Sequence, residues 1–145
     1  MISGPRVAVV GAGIVGASIA YHLAARGASV VLLEAAEPAA GVTRRAFSWI
    51  NIAHTKPHPY QALRQAAIGD WHRVEAELAG AVQVDWCGAL SWDADLEGTE
   101  RLVAQHADAG YDVRLLTRTE IADLEPGLID PPRVAAHAPG EGAVD

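Results

Sequence analysis

The sequence predicts an α/β fold, and three observations carry that prediction. A short apolar run ends on glycine, a segment of helical period follows it, and a second run rich in Val and Leu closes on an acid. Strand, helix and strand in that order place two parallel strands side by side, joined by a right-handed crossover.

Val7, Ala8, Val9 and Val10 read as a strand buried on both faces. Residues 14–26 read as a helix with Ile14, Ala17, Ile19, Ala20, Leu23 and Ala24 on its apolar stripe and Gly27 at its stop. Residues 29–33 form the second strand, which ends at Glu34. Residues 35–59 carry Pro38, Gly41, Pro57 and Pro59 and no clean strand; Phe47, Trp49, Ile50 and Ile52 make the segment an ordered binding loop. A helix follows over 60–78, with Leu63, Ala67, Trp71, Val74 and Leu78 inward and Gly80 just beyond. Arg73, Glu75 and Glu77 form its solvated face, and Trp71, Trp86 and Trp92 read as core or interface. Short strands at 82–86 and 89–92 meet at Cys87-Gly88, which reads as a tight hairpin turn. A helix over 97–109 stops at Gly110, a strand covers 113–116, and Thr119 caps a short helix that runs through Leu124 to Pro126-Gly127. The Pro-, Gly- and Ala-rich tail holds an edge strand over 133–138.

Composition limits the function. The chain has 145 residues, half of them hydrophobic, which excludes disorder and supports one domain or part of a larger one. Eleven Lys and Arg against 18 Asp and Glu give a net charge of -7, which repels phosphate backbones and anionic lipid, so no nucleic-acid partner is expected. Cys87 stands alone, without a disulfide partner or zinc-ligand spacing, and fits a reducing, cytoplasmic location. The apolar start is too short and too broken by glycine to span a membrane. His54 and His58 are four apart, but Pro57 and Pro59 deny them a helix, so no metal site is expected.

The sharpest motif is Gly11-Ala12-Gly13-Ile14-Val15-Gly16, between a strand and a helix. Gly11 permits the tight turn, Gly13 lets a pyrophosphate approach the backbone, and Gly16 lets helix and strand pack closely. The N–H groups near Ile14 and Val15 then face the phosphates at the positive end of the helix dipole. Glu34, 18 residues after Gly16, is placed to accept from both hydroxyls of an adenosine ribose and to repel a 2'-phosphate, which counts against NADP. NAD and FAD share that ADP half. The Gly41 to Asn51 stretch favours FAD, because Thr43, Arg44 and Arg45 offer a hydroxyl and two guanidinium groups to a second length of cofactor.

On residues 7–34 and 41–51, and on Leu124-Glu125-Pro126-Gly127-Leu128 and Gly142-Ala143-Val144-Asp145, the chain resembles the FAD-dependent oxidoreductases of the D-amino acid oxidase, glycine oxidase and sarcosine oxidase type. The resemblance covers essentially the whole chain. It implies a Rossmann-like FAD-binding domain, a parallel sheet with flanking helices, incomplete relative to a two-domain family fold. It places the pyrophosphate on Gly11, Gly13, Ile14, Val15 and Gly16, the ribose on Glu34 and Ala35, and the rest of the cofactor along Thr43, Arg44, Arg45 and Ala46; Trp49 and Asn51 have two readings, core or approach to the flavin ring, and an aromatic in an apolar stretch is more often core. Arg44 stands where many members carry a small residue.

The reaction it implies is oxidation of a C–N bond in a small-molecule amine or amino acid to an imine, by hydride transfer to flavin. Residues 1–145 would be the N-terminal FAD-binding portion, without the substrate region or the later part of the flavin site; the resemblance names no catalytic residue, and exposed surface would favour self-association. Two alternatives stay open: an NAD-dependent dehydrogenase fragment, and a truncated, non-catalytic nucleotide-binding or interaction module.

Overall fold

The structure, a computed structural model, describes residues 4–53 and 59–144; His54, Pro57, His58 and Asp145 lie outside the described residues. The chain divides into two compact units, Met1–Phe47 and Ser48–Asp145.

In the first unit, β1 (Arg6–Val10) and β2 (Ser29–Leu33) pair in parallel, Arg6 opposite Ser29 and Val10 opposite Leu33, with α1 (Ile14–Ala25) as the crossover. The Gly11 N–H extends the ladder to the Leu33 carbonyl at 2.7 Å. The end of α1 follows from Gly27, which takes a positive φ while its N–H reaches the Ala24 carbonyl and the Ala28 N–H reaches Leu23, a Schellman closure. Alternation along β1 puts Val9 under the helix, where it is buried, and Val10 on the opposite face, where it is 83% exposed. Val31, Leu32 and Leu33 are exposed as well. The expected burial of the first strand on both faces therefore does not hold, because one helix covers only one face of a two-stranded sheet.

The second unit contains β3 (Trp49–Ile50), α2 (Gln61–Glu77), β4 (Val84–Asp85), β5 (Ala89–Ser91), α3 (Leu96–Asp108), β6 (Arg114–Thr117), α4 (Arg118–Leu124), β7 (Val134–Ala138) and β8 (Gly142–Val144). Its strands form two antiparallel sheets, in the orders β3-β8-β4 and β5-β7-β6. Leu116, Ile121 and Ala135 form the core of the second sheet, with Leu90 and Leu128 packed against them.

Several expectations change here. Cys87-Gly88 is not a hairpin turn, since β4 and β5 belong to different sheets and the pair marks the crossing between them. The strand over Val134–Ala138 is central, not an edge: Ala89 to Ser91 pair with it on one side and Arg114 to Thr117 on the other, and Ala135, Ala136 and Ala138 are buried. Small side chains suit that position because α3 and α4 both pack against β7. The short helix is capped by Thr117, not Thr119: Thr117 Oγ1 accepts from the Glu120 N–H while Glu120 Oε2 accepts from the Thr117 N–H at 2.7 Å. Along α2 the predicted stripe holds at Trp71, Val74 and Leu78, which are half-buried, but not in the first turns, where Leu63 is 66% exposed and Gln61 is buried instead. Glu75 leaves the solvated face. Its carboxylate accepts from the Val84 N–H at 2.9 Å and the Trp86 Nε1–H at 3.0 Å, tying α2 to β4, and these bonds, Trp86's first, hold it below the usual carboxylate range. Residues 35–59 also contain more structure than expected, a 3-10 turn at Thr43–Arg45 and the strand β3.

Candidate functional site

The glycine loop joins β1 to α1, and its geometry follows from where glycine replaces a side chain. Gly11 has φ +99, a conformation other residues rarely adopt. A Cβ on Gly16 would lie 1.8 Å from the Gly11 carbonyl oxygen, so only glycine lets the first turn of α1 settle onto the loop. At Gly13 a Cβ would come within 3.2 Å of Thr43 Oγ1. Gly13 is the N-cap residue of α1 and supplies no capping side chain, so the first N–H groups of the helix look outward for acceptors.

Two side chains reach back to this loop from later in the chain. Thr43 Oγ1 accepts from the Ile14 N–H at 3.0 Å. Glu34 Oε2 accepts from the Ala12 N–H at 2.8 Å, while its Oε1 accepts from the N–H groups of Ala35 at 2.8 Å and Ala36 at 3.2 Å. Those bonds, Ala12's first, hold the Glu34 carboxyl below its ordinary range and keep it an anion. The loop is thus gripped at Ala12 and Ile14 by groups 22 and 29 residues away. The sequence pointed to Glu34 and Thr43 but gave no sign of this inward role, nor of Ala12 and Ala36, because a backbone N–H has no residue signature. A carboxylate offers about four acceptor positions. With three backbone donors in place, Glu34 has room for one further donor in its present geometry rather than two.

The remaining predicted residues take distinct places. Val15 is exposed on the first turn of α1, and Ala35 is exposed beside Glu34. Arg44 pairs with Glu37 at 3.3 Å, both side chains in solvent, while its N–H bonds the Ala39 carbonyl. Arg45 is the last residue of the 3-10 turn, and the Ala46 N–H closes that turn on the Thr43 carbonyl. In the second unit, Trp49 lies on β3 and Asn51 follows it, the Asn51 Nδ2 donating to the Trp49 carbonyl at 3.2 Å. Among the described residues no group of three or more His, Cys, Asp or Glu could hold a metal, and no helix is long and apolar enough to cross a membrane.

A parallel β-α-β unit with this glycine loop and an acid at the end of its second strand is the arrangement that dinucleotide-binding domains use. The chain belongs to the FAD dependent oxidoreductase family, whose pattern matches residues 6–145. It is similar in fold to the glycine oxidase of Bacillus cereus, with a TM-score of 0.85 and 21% identity over 98% of this chain and 40% of that one. Similarity extends to the L-proline dehydrogenase of P. horikoshii (TM-score 0.82, 23% identity, 100% of this chain and 39% of that one) and to the iminodiacetate oxidase of Chelativorans (0.79, 27%, 97% and 41%). The D-proline dehydrogenase of Pyrobaculum islandicum is 39% identical over 71 residues, 45% of this chain and 20% of that protein. The chain spans about 40% of the length of the glycine oxidase it matches. The fold is the α/β fold of the FAD-binding domain in this family, and FAD is the family's cofactor.

Proposed function

We propose that the chain is the N-terminal, FAD-holding portion of an enzyme that oxidises the C–N bond of an amine or amino acid to an imine. The observation that carries the reading is the convergence of Glu34 and Thr43 on Ala12 and Ile14, which fixes the glycine loop from both sides. The family and its neighbours support the reaction class, since glycine, proline and iminodiacetate each carry an amine nitrogen beside a carboxylate-bearing carbon.

The residues present fit the cofactor at the loop: Gly13 puts no Cβ in the space between the loop backbone and Thr43 Oγ1, and Gly16 lets the first turn of α1 settle against Gly11. Gly11, Gly13, Ile14, Val15 and Gly16 would hold the pyrophosphate, with the dipole of α1 favouring its charge. Glu34 and Ala35 would take the ribose, Glu34 through its remaining acceptor position. Thr43, Arg44, Arg45 and Ala46 would follow the cofactor onward, Arg44 exchanging Glu37 for a phosphate. Bound flavin supplies the hydride acceptor; the chain supplies orientation and charge. The substrate is a small molecule, and its recognition lies with residues outside this chain. The lone, exposed Cys87 supports a reducing, cytoplasmic setting, and exposed Val10, Val31 and Leu33 support self-association of the isolated chain.

The test is the visible absorption of the natively purified chain, followed by titration with FAD and with NAD. Saturable binding of FAD alone, weakened in Gly13→Leu while far-UV circular dichroism is retained, is the expected result. Binding of NAD without flavin would instead support a nicotinamide-dependent dehydrogenase, and binding of neither a non-catalytic module.

A further inference from the structure

A cleft of about 440 Å³ opens in the second unit, between the turn 92–96 that leads from β5 into α3 and the stretch 130–134 that leads into β7, with Thr99 and Arg118 completing its lining. That volume lies within the range of about 300–1,000 Å³ that small-molecule sites occupy. Every lining group belongs to this one unit, and none takes part in the cofactor reading.

The two sides carry opposite charges. On the α3 side the acids are Asp93 and Asp95. Asp95 caps the helix, its Oδ1 accepting from the Gly98 N–H at 2.5 Å. Asp93 is anchored twice: its N–H donates to Thr99 Oγ1 at 3.0 Å, and its Oδ1 accepts from the Ala94 N–H at 2.7 Å. Thr99 is 1% exposed and its hydroxyl donates in turn to the Asp95 carbonyl at 3.3 Å, so the anchor is fixed. A Cβ on Gly98 would lie 2.7 Å from Asp93 Oδ2, and glycine there lets the carboxylate rest against the first turn of α3. That Oδ2 takes no hydrogen bond among the described residues. On the β7 side the cations are Arg118 and Arg133. Arg118 donates to Asp130 at 3.2 Å, whereas Arg133 makes no ion pair among the described residues. Pro131 and Pro132 precede Arg133 and restrict the main chain that presents it. Trp92, 47% exposed, and Leu96, 38% exposed, add apolar surface to the same cleft.

We propose that this cleft binds a small zwitterion with an apolar side group, its carboxylate on the Arg133 guanidinium, its ammonium on Asp93 Oδ2 and its side group against Trp92 and Leu96. The charges decide among ligand classes. A polyanion would meet Asp93, Asp95 and Asp130. A divalent cation would meet two guanidinium groups, and among the described residues no group of three His, Cys, Asp or Glu could hold one. A neutral apolar molecule would strip water from Asp93 and Arg133 and return no partner. A molecule with both charges satisfies each side, and a guanidinium takes a carboxylate through two parallel hydrogen bonds. The inference is independent of the cofactor reading, since binding here requires neither flavin nor turnover.

The test is isothermal titration calorimetry of the chain, without flavin, against L-phenylalanine, its methyl ester, which lacks the carboxylate charge, and N-acetylphenylalanine, which lacks the ammonium. The free amino acid is expected to bind saturably and about tenfold more tightly than either derivative, the effect of one charge-assisted contact in an open cleft. Arg133→Gln should weaken the free amino acid to the level of the ester. Asp93→Asn, which keeps an oxygen for the Ala94 N–H, should weaken it to the level of the N-acetyl compound. Arg101→Gln, at a solvent-exposed arginine of α3 outside the cleft, should leave binding unchanged. Absence of saturable binding by the folded wild-type chain would overturn the proposal, as would derivatives that bind as tightly as the free amino acid, a comparison that needs no variant. Affinity unchanged in both Arg133→Gln and Asp93→Asn would place the binding elsewhere and overturn it too.

Discussion

Substitution of Gly16 by alanine sets two physical effects of opposite sign against each other. Gly16 is inside α1, where alanine is favoured over glycine by about 0.8–1 kcal/mol, so an unobstructed position would gain stability. Here the new Cβ would meet the Gly11 carbonyl oxygen at 1.8 Å and its carbon at 3.0 Å. Cβ contacts under 3.0 Å are essentially never seen, so backbone must retreat by at least about 1 Å, and this carbonyl belongs to the turn that positive φ at Gly11 maintains. Overpacking of this kind costs about 1–3 kcal/mol, and the relief comes from moving the cofactor loop itself. The expected net loss is about 1 kcal/mol, or a fall of about 4–8 °C in the melting temperature of this unit. Thermal melts followed by circular dichroism, with FAD titration beside them, make the comparison. Gly69→Ala is the control: it lies inside α2 with nothing within 4 Å of the added atom, and it should gain about 0.8–1 kcal/mol. If Gly16→Ala behaved like that control, gaining stability and keeping its FAD affinity, the close packing of helix on loop would not be what the glycine provides.

Three further outcomes are expected. Thr117→Ala removes the hydroxyl half of the capping box on α4 and should cost about 1 kcal/mol in urea unfolding. Ile121→Ala, at a residue with 0% exposure in the core beside Leu116 and Ala135, should cost about 2–5 kcal/mol by the same measurement. Glu75 is held below the ordinary carboxylate value of 4.5, so its contribution is present above that value and lost as pH falls through the depressed one. Melting temperatures recorded from neutral pH into acid should therefore fall more steeply for the wild-type chain than for Glu75→Gln, and parallel curves would show that the Trp86 and Val84 bonds do not favour the anion.

The first unit was legible because its signals are local. A short apolar strand, three glycines at fixed spacing and a terminal acid are all read within 34 residues, and the parallel pairing of β1 and β2 follows from the handedness of the crossover. The second unit was harder for a physical reason. β3 and β4 are two residues long and β8 is three, too short to show alternation, and they exist because partners distant in sequence complete their ladders. Val134–Ala138 looked marginal because alanine carries little hydrophobic area, yet two helices packed against one strand require small side chains. At the candidate site, glycine spacing and Glu34 could be read; in the second unit, the burial of Glu141 could not. A lone acid in Pro139-Gly140-Glu141-Gly142 reads as solvated, and only the approach of Ile52, Ala53 and Tyr111 shows it to be interior.

The middle strand of each antiparallel sheet comes from the same late stretch, β7 in one and β8 in the other. Until residues 134–144 arrive, β5 and β6 have no common neighbour, and neither do β3 and β4. As this chain leaves the ribosome, α1 and its two parallel strands can close on contacts made within some 30 residues, whereas the second unit must wait, with four strand edges open, for a single segment that completes both sheets at once. Its assembly is then all-or-none in a way its short strands alone would not suggest, and loss of the 134–144 segment would dismantle two sheets, not trim one.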